Sequence, residues 1–333
     1  VAIRLCPMAQ LLAEKSRPRT GARWATVAVI VFLTLFAAFR GLDSEFGELV
    51  GYALRGFDRA AASLAGEFFP TAAYFWAPLL TVMFFERLVP ANRSQRTLSA
   101  GLFGDLIWFL SAPVFAIFLV SRLREYLGTI HTFQLGGMSA EPLLGLPIWA
   151  QFLIVVLASD FLSWFSHFLR HKIPVLWYFH SIHHSQRELN VFTDHRVHPI
   201  EQLFSVLIRF WPMTLLELRH GVALGIVWSL FLTWHPMIYH ANIRSNYGWL
   251  RYVFVTPQSH RIHHSRLPQH RDRNFGTIFS IWDYVFGTQY RNYDEYPPAG
   301  VSDSKSPLPD SSKPIELVSA YARQLVYPLH ERL

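Results

Sequence analysis

An all-α, multi-pass membrane protein with a cytoplasmic, histidine-rich di-metal helical cap is the fold class this sequence predicts, on three observations. The 333 residues are 51% hydrophobic and 16% aromatic with only 16% charged, too apolar and too poor in charge for an ordinary soluble protein. The apolar residues gather into several runs close to the length that crosses a bilayer. Eight histidines fall into three clusters: His167 and His171; His180, His183 and His184; His260, His263 and His264.

Residues 1–145 read as an N-terminal transmembrane region with spans at about 24–40, 68–86 and 102–120. Arg4, Lys15, Arg17, Arg19 and Arg23 precede the first run, which is taken as a retained span rather than a cleaved signal. Arg87, Arg93 and Arg96 lie between the second and third runs, so both basic segments are expected on the cytoplasmic side. Residues 121–146, with Gly136, Gly137 and Pro142, form the expected external loop. A fourth span over Pro147–Phe168 then runs inward and delivers the first histidine pair to the cytoplasm. Ile200–Leu218 and Gly221–His240 predict either two spans or a re-entrant hairpin, because Arg209 and Pro212 interrupt the first. Both topologies return the third cluster to the side of the other two. Residues 146–290 form the histidine-bearing domain. Residues 291–333 read as a Pro/Ser-rich linker followed by a tail helix over Ile315–Val326 that lies on the membrane or on that domain.

Charge and cysteine narrow the chemistry. The net charge of +7 is spread beside apolar runs rather than along one stripe, which fits lipid headgroups and excludes a nucleic-acid partner. The single cysteine, Cys6, rules out an internal disulfide framework, cysteine-bound iron–sulfur clusters and the usual zinc fingers. Any metal site is therefore built from nitrogen and oxygen.

A lone histidine is most often a hydrogen-bonded structural residue. Here the pattern His-x-x-His-His occurs twice and stands beside a third, spaced pair, a density that structural use does not require. His167 and His171, four apart, share one helix face, and spacings of three and four allow all three rings of each box to lie on one stripe. Asp160, seven and eleven residues before the first pair, falls on their stripe and could hold an imidazole N–H. Imidazole is the commonest metal ligand, and eight rings suit two sites of about four each with positions left open. Such sites suit iron(II) and dioxygen. Asp283 reads as a turn or cap residue or as a carboxylate holding a ligand ring, and Asn274 as a polar group near the site or as turn chemistry. His131, His220, His270 and His330 are expected on the surface or in loops. No His-Glu-x-x-His, glycine-rich phosphate loop or dinucleotide turn is present.

The run from Asp160 through His167 to His171, then His180-Ser-Ile-His-His184, resembles the fatty acid hydroxylase/sterol desaturase superfamily. So do Thr256-Pro-Gln-Ser-His260-Arg-Ile-His-His264, Asn274-Phe-Gly276 and Trp282-Asp-Tyr-Val-Phe-Gly-Thr288. The likeness covers roughly residues 150–290. It implies a membrane-embedded, non-haem enzyme with two iron ions that uses dioxygen to hydroxylate or desaturate a lipid, hydroxylation being the commoner reaction. By the same resemblance the eight box histidines are ligands, and His240, in His240-Ala-Asn242, is a ninth. His198, in Arg196-Val-His198-Pro199, is implied as a ligand or as a support for one. With no flavin, haem or iron–sulfur motif in the chain, electrons are expected from a separate ferredoxin- or cytochrome-type donor.

Two rival classes use the same residues. A membrane metal transporter or sensor would hold the histidines as a depot, although transport sites sit near the bilayer midplane and these clusters lie outside the predicted spans. A zinc-dependent lipid hydrolase would work without dioxygen or reductant.

Overall fold

The computed structural model describes residues 73–115, 145–210, 222–302 and 313–330. The first predicted span and most of the expected external loop lie outside the described residues. Among the described residues the architecture is all-helical, with isolated β-bridges only. Helix α1 covers Ala73–Leu88, α2 Ala100–Phe115, α3 Ile148–Lys172, α4 Pro174–His184 and α5 Pro199–Ser205; α6 covers Val222–His240, α7 Pro257–His263, α8 Ile281–Val285 and α9 Pro314–His330. Within the 200–241 stretch, α5 passes into a π-helical turn at Val206–Phe210 rather than continuing as an α-helical span.

The longest element is α3, whose 25 residues contain no proline or glycine. Among the described residues it alone is long and apolar enough to cross a membrane. Arg170, His171 and Lys172 occupy its last turn, where the negative end of the helix dipole favours them. The helix stops at Ile173, which is extended (φ −99°, ψ 114°) and donates its N–H to Leu169 O. Pro174 enforces that conformation, because its ring excludes the helical region for the preceding residue while suiting the first position of α4. The resulting turn packs α4 against α3 and brings the second histidine box to the first.

The third box rides on a seven-residue helix too short to be stable alone. Its start is fixed by a capping box: Ser259 N donates to Thr256 Oγ1 at 3.0 Å and Thr256 N to Ser259 Oγ at 2.9 Å. A core of Leu79, Val82, Leu102, Val191, Phe192, Met237, Ala241 and Ile243 joins α1, α2, α6 and the loop after α4. Beside it lies a fully buried polar knot. Arg196 Nε donates to Asp105 Oδ1 at 2.6 Å, while Gln186, Asn190 and Thr193 all donate to Asp105 Oδ2. The tail helix, longer at both ends than expected, closes over this knot. Gln324 Oε1 accepts from Trp108 Nε1 at 2.8 Å and from Arg196 Nη1 at 3.0 Å.

Candidate metal centre

All nine histidines read as ligands converge, and they form two pockets. His167, His171, His180, His184 and His263 present ring nitrogens that lie within 4.8 Å of one another; His183, His240, His260 and His264 do the same. The boxes are shared across the pockets. From the second box the first and third histidines face the five-histidine pocket and the middle one faces the other. The third box does the reverse. Histidines at i and i+4 of a helix diverge by only about 40°, whereas the one at i+3 lies on their other flank. Two short helices packed with their boxes facing therefore cross-supply two neighbouring pockets. The single stripe expected for each box is corrected accordingly: two rings on one side, one on the other. His184 and His264 stack between the pockets with ring centroids 4.3 Å apart.

Hydrogen bonds fix which nitrogen of several rings is bare. His167 Nδ1 meets Phe275 O at 3.0 Å, His263 Nδ1 meets Arg273 O at 2.8 Å and His240 Nδ1 meets Pro236 O at 2.8 Å. A carbonyl only accepts, so each of these Nδ1 atoms carries the proton, and in the neutral ring Nε2 carries the lone pair. His180 Nδ1 likewise donates to Glu201 at 2.8 Å. Yet His167 Nε2 and His180 Nε2 stand 3.1 Å apart, two lone pairs facing one another with no proton between them. A cation between them resolves the repulsion: ligand bonds of about 2.1 Å at right angles place two nitrogens about 3.0 Å apart. In the second pocket the Nε2–Nε2 separations are 3.2 Å (His183–His240), 2.8 Å (His240–His260) and 3.0 Å (His260–His264). Burial, and the mutual repulsion of the rings, hold the imidazoles of His183, His184, His260 and His264 well below the usual range; His263 is pushed down to about 4. Neutral, buried and with lone pairs converging, both sets fit a metal.

The supporting carboxylate is Glu201, which carried no weight in the sequence. It takes the His180 N–H and is also paired with Arg170 of α3. The one available signal was an acid at the head of an apolar run, Pro199-Ile200-Glu201, since a buried charge there requires partners. Removing it in Glu201→Ala frees the His180 ring and leaves Arg170 unpaired. The affinity of the five-histidine pocket for metal is expected to fall roughly 10–100-fold while the other pocket keeps its own, as followed by Co(II) titration of the apoprotein.

Of the other supporting candidates, Asp160 does not take the role read for it, while Asp283 and Asn274 follow the turn reading of their two alternatives. Asp160 touches no imidazole: it accepts from Ile278 N, Phe279 N and Trp282 Nε1 at 2.9–3.1 Å, fastening residues 278–282 to α3. Asp283 is a turn clamp, accepting from Phe275 N, Gly276 N, Trp164 Nε1 and Thr288 Oγ1, and burial pushes its carboxyl up. It fixes the loop whose Phe275 O orients His167, so it acts on a ligand only through the backbone. A Cβ at Gly276 would come within 3.0 Å of Val255, Phe279 O and Asp283; no other residue fits the clamp. Asn274, left-handed at φ 57°, is turn chemistry, donating to Ser259 O and accepting from Tyr290 N. His198 lies in neither pocket; it donates to Leu325 O at 3.0 Å and accepts from Ile200 N, holding the tail helix. His270 is buried against Glu295 rather than exposed.

Among the described residues, an all-helical frame carrying two adjacent, neutral, histidine-only pockets able to bind metal defines a candidate dinuclear centre. Residues 152–288 match the fatty acid hydroxylase family, a match that supports the likeness to the fatty acid hydroxylase superfamily over that stretch. Alkylglycerol monooxygenase of Xenopus tropicalis is 32% identical over 40% of this chain and 29% of its own length, and that of Homo sapiens 29% identical over the same shares. Ornithine lipid hydroxylase OlsE of Rhizobium tropici is 27% identical over 62% of this chain and 63% of its own. The chain thus spans less than two thirds of the length of each of these relatives. No solved structure matches.

Proposed function

We propose that this chain is a membrane-bound di-iron oxidoreductase that hydroxylates a C–H bond of a lipid. The observation that carries this reading is the pair of converging neutral-imidazole pockets, supported by relatives named as lipid hydroxylases and monooxygenases. Their named substrates, an alkylglycerol and an ornithine lipid, favour an amphiphile with a polar head and an alkyl chain. In the reaction one oxygen atom of dioxygen enters the C–H bond and the other leaves as water, taking two electrons and two protons. The electrons come from a separate ferredoxin- or cytochrome-type protein. Two ferrous ions, when bound, supply the activation of dioxygen, a chemistry that nitrogen ligands with open positions suit.

The chain's own residues do the rest. Phe275 O, Arg273 O, Pro236 O and Glu201 hold four ligand rings in the one tautomer that offers Nε2 inward. Phe275 and Trp177 lie against the His171 ring, and Tyr239 against His260, keeping the centre dry. We place α3 across the bilayer with its C-terminal end, and the boxes, at the cytoplasmic face. Its length and apolarity support this, as do the basic segments of the sequence.

Expression in a host lacking the activity is expected to yield lipids heavier by about sixteen mass units, one oxygen atom, in air and not under nitrogen. Turnover that persists without dioxygen would mark a hydrolase instead. A loss of about two mass units would mark a desaturase.

A further inference from the structure

Two segments of the histidine-bearing domain turn large apolar side chains outward. The turn at Gly248–Tyr252, with Val253, exposes Trp249 (73%), Leu250 and Tyr252; α8 and the residue after it expose Ile281, Val285 (65%) and Phe286. The segments are stitched together, Val255 N donating to Ile278 O and Ser280 N to Val253 O, both at 2.9 Å, and Ser280 Oγ to Arg251 O at 2.9 Å. Their seat is α3. Asp160 grips residues 278–282 there, and the Phe286 ring stacks on Trp164 at 4.5 Å and on Phe161 at 6.1 Å.

Phe161 stands eleven residues before the end of α3, about 16 Å along its axis. The paired segments are therefore fixed well up the apolar helix and not at its basic end. Trp149, Leu153 and Leu157 of α3 are exposed as well, so the outward apolar surface continues from the helix onto the segments. Backbone held at such a level must be satisfied within the protein, and the Asp160 bonds do that for Ile278 and Phe279. The rim has the composition of a lipid–water boundary: Arg251 lies over the rings of Tyr252 and Tyr293.

We propose that residues 248–253 and 281–286 form a monotopic foot that sinks into the phospholipid leaflet beside α3, with Arg251 at the anionic headgroups. The inference rests on the reading that α3 crosses the membrane. It gives the metal-bearing domain a second hold on the lipid besides its helices, on the side where Asp283 and Phe275 connect the foot to His167.

The test uses the full chain with Cys6→Ser, reconstituted in vesicles of phosphatidylcholine and phosphatidylglycerol. Single nitroxides are placed at Trp249→Cys, Val285→Cys, Leu153→Cys and the exposed Gln269→Cys, and relaxation by dissolved oxygen is compared with relaxation by an aqueous nickel chelate. Oxygen is expected to dominate at 249, 285 and 153, and the chelate at 269. Chelate accessibility at 249 and 285 equal to that at 269, with 153 shielded, would overturn the foot while leaving the membrane reading intact. Chelate accessibility at all four would overturn both. Shielding of 249 and 285 accompanied by spin–spin broadening between chains would assign the face to a second copy and also overturn it.

Discussion

Replacing neighbouring histidines of one box is expected to remove different metals. His184→Ala opens the five-histidine pocket and His183→Ala the four-histidine pocket, although the two residues are adjacent. Each variant, purified and analysed for iron, is expected to fall from about two ions per chain to about one, since a buried ligand set that loses a member holds its ion poorly. His263→Ala, on a different helix, should match His184→Ala in the ion it loses, and His260→Ala should match His183→Ala. Mössbauer spectra of the residual ion distinguish the pairs: the 184/263 variants share one spectrum and the 183/260 variants another. Lipid oxidation is expected to vanish in all four, because neither pocket substitutes for the other. Grouping by box rather than by pocket, or unchanged iron in every variant, would defeat the cross-supplied arrangement.

The second large effect is on stability. Arg196 and Asp105 are both fully buried and directly paired. Truncating Arg196→Met keeps the volume of the stem but strands the Asp105 carboxylate, a loss of roughly 3–5 kcal/mol for a broken buried pair. It also releases the bond from Arg196 Nη1 to Gln324 of α9. For a folded unit of this size that corresponds to a fall in Tm on the order of 10 °C, read by thermal denaturation in detergent. Asp105→Asn added to Arg196→Met is expected to recover part of the loss by removing the orphaned charge. A single variant as stable as the parent would show that the knot is not what joins α2, the 186–196 segment and the tail helix.

How far the centre was legible varied residue by residue. Eight of the nine ligand candidates were visible because spacing of three and four on a helix is a property of the chain itself, and an imidazole density of this kind has few structural uses; His240 was reached only through the family resemblance. The partition of the nine was not visible, since it depends on how α4 and α7, more than seventy residues apart in the chain, face one another. Glu201 was missed and Asp160 misread for one shared reason. A carboxylate's partner is decided by what packs against it from elsewhere in the chain: His180 lies 21 residues from Glu201, and Ile278 lies 118 from Asp160. The arginine of Arg196-Val-His198 turned out to be the buried anchor and its histidine a tether for the tail helix, an assignment that only the position of α9 makes.

By itself the sequence determined the helical class, the apolar character and the box histidines that meet. These follow from periodicity and composition, which are local. The tertiary structure alone decided that the boxes exchange members between a pocket of five and a pocket of four, which ring nitrogens are bare, and that Asp160 and Asp283 bind backbone instead of imidazole. Those outcomes are set by distances between residues far apart in the chain, and such distances exist only after the helices have packed.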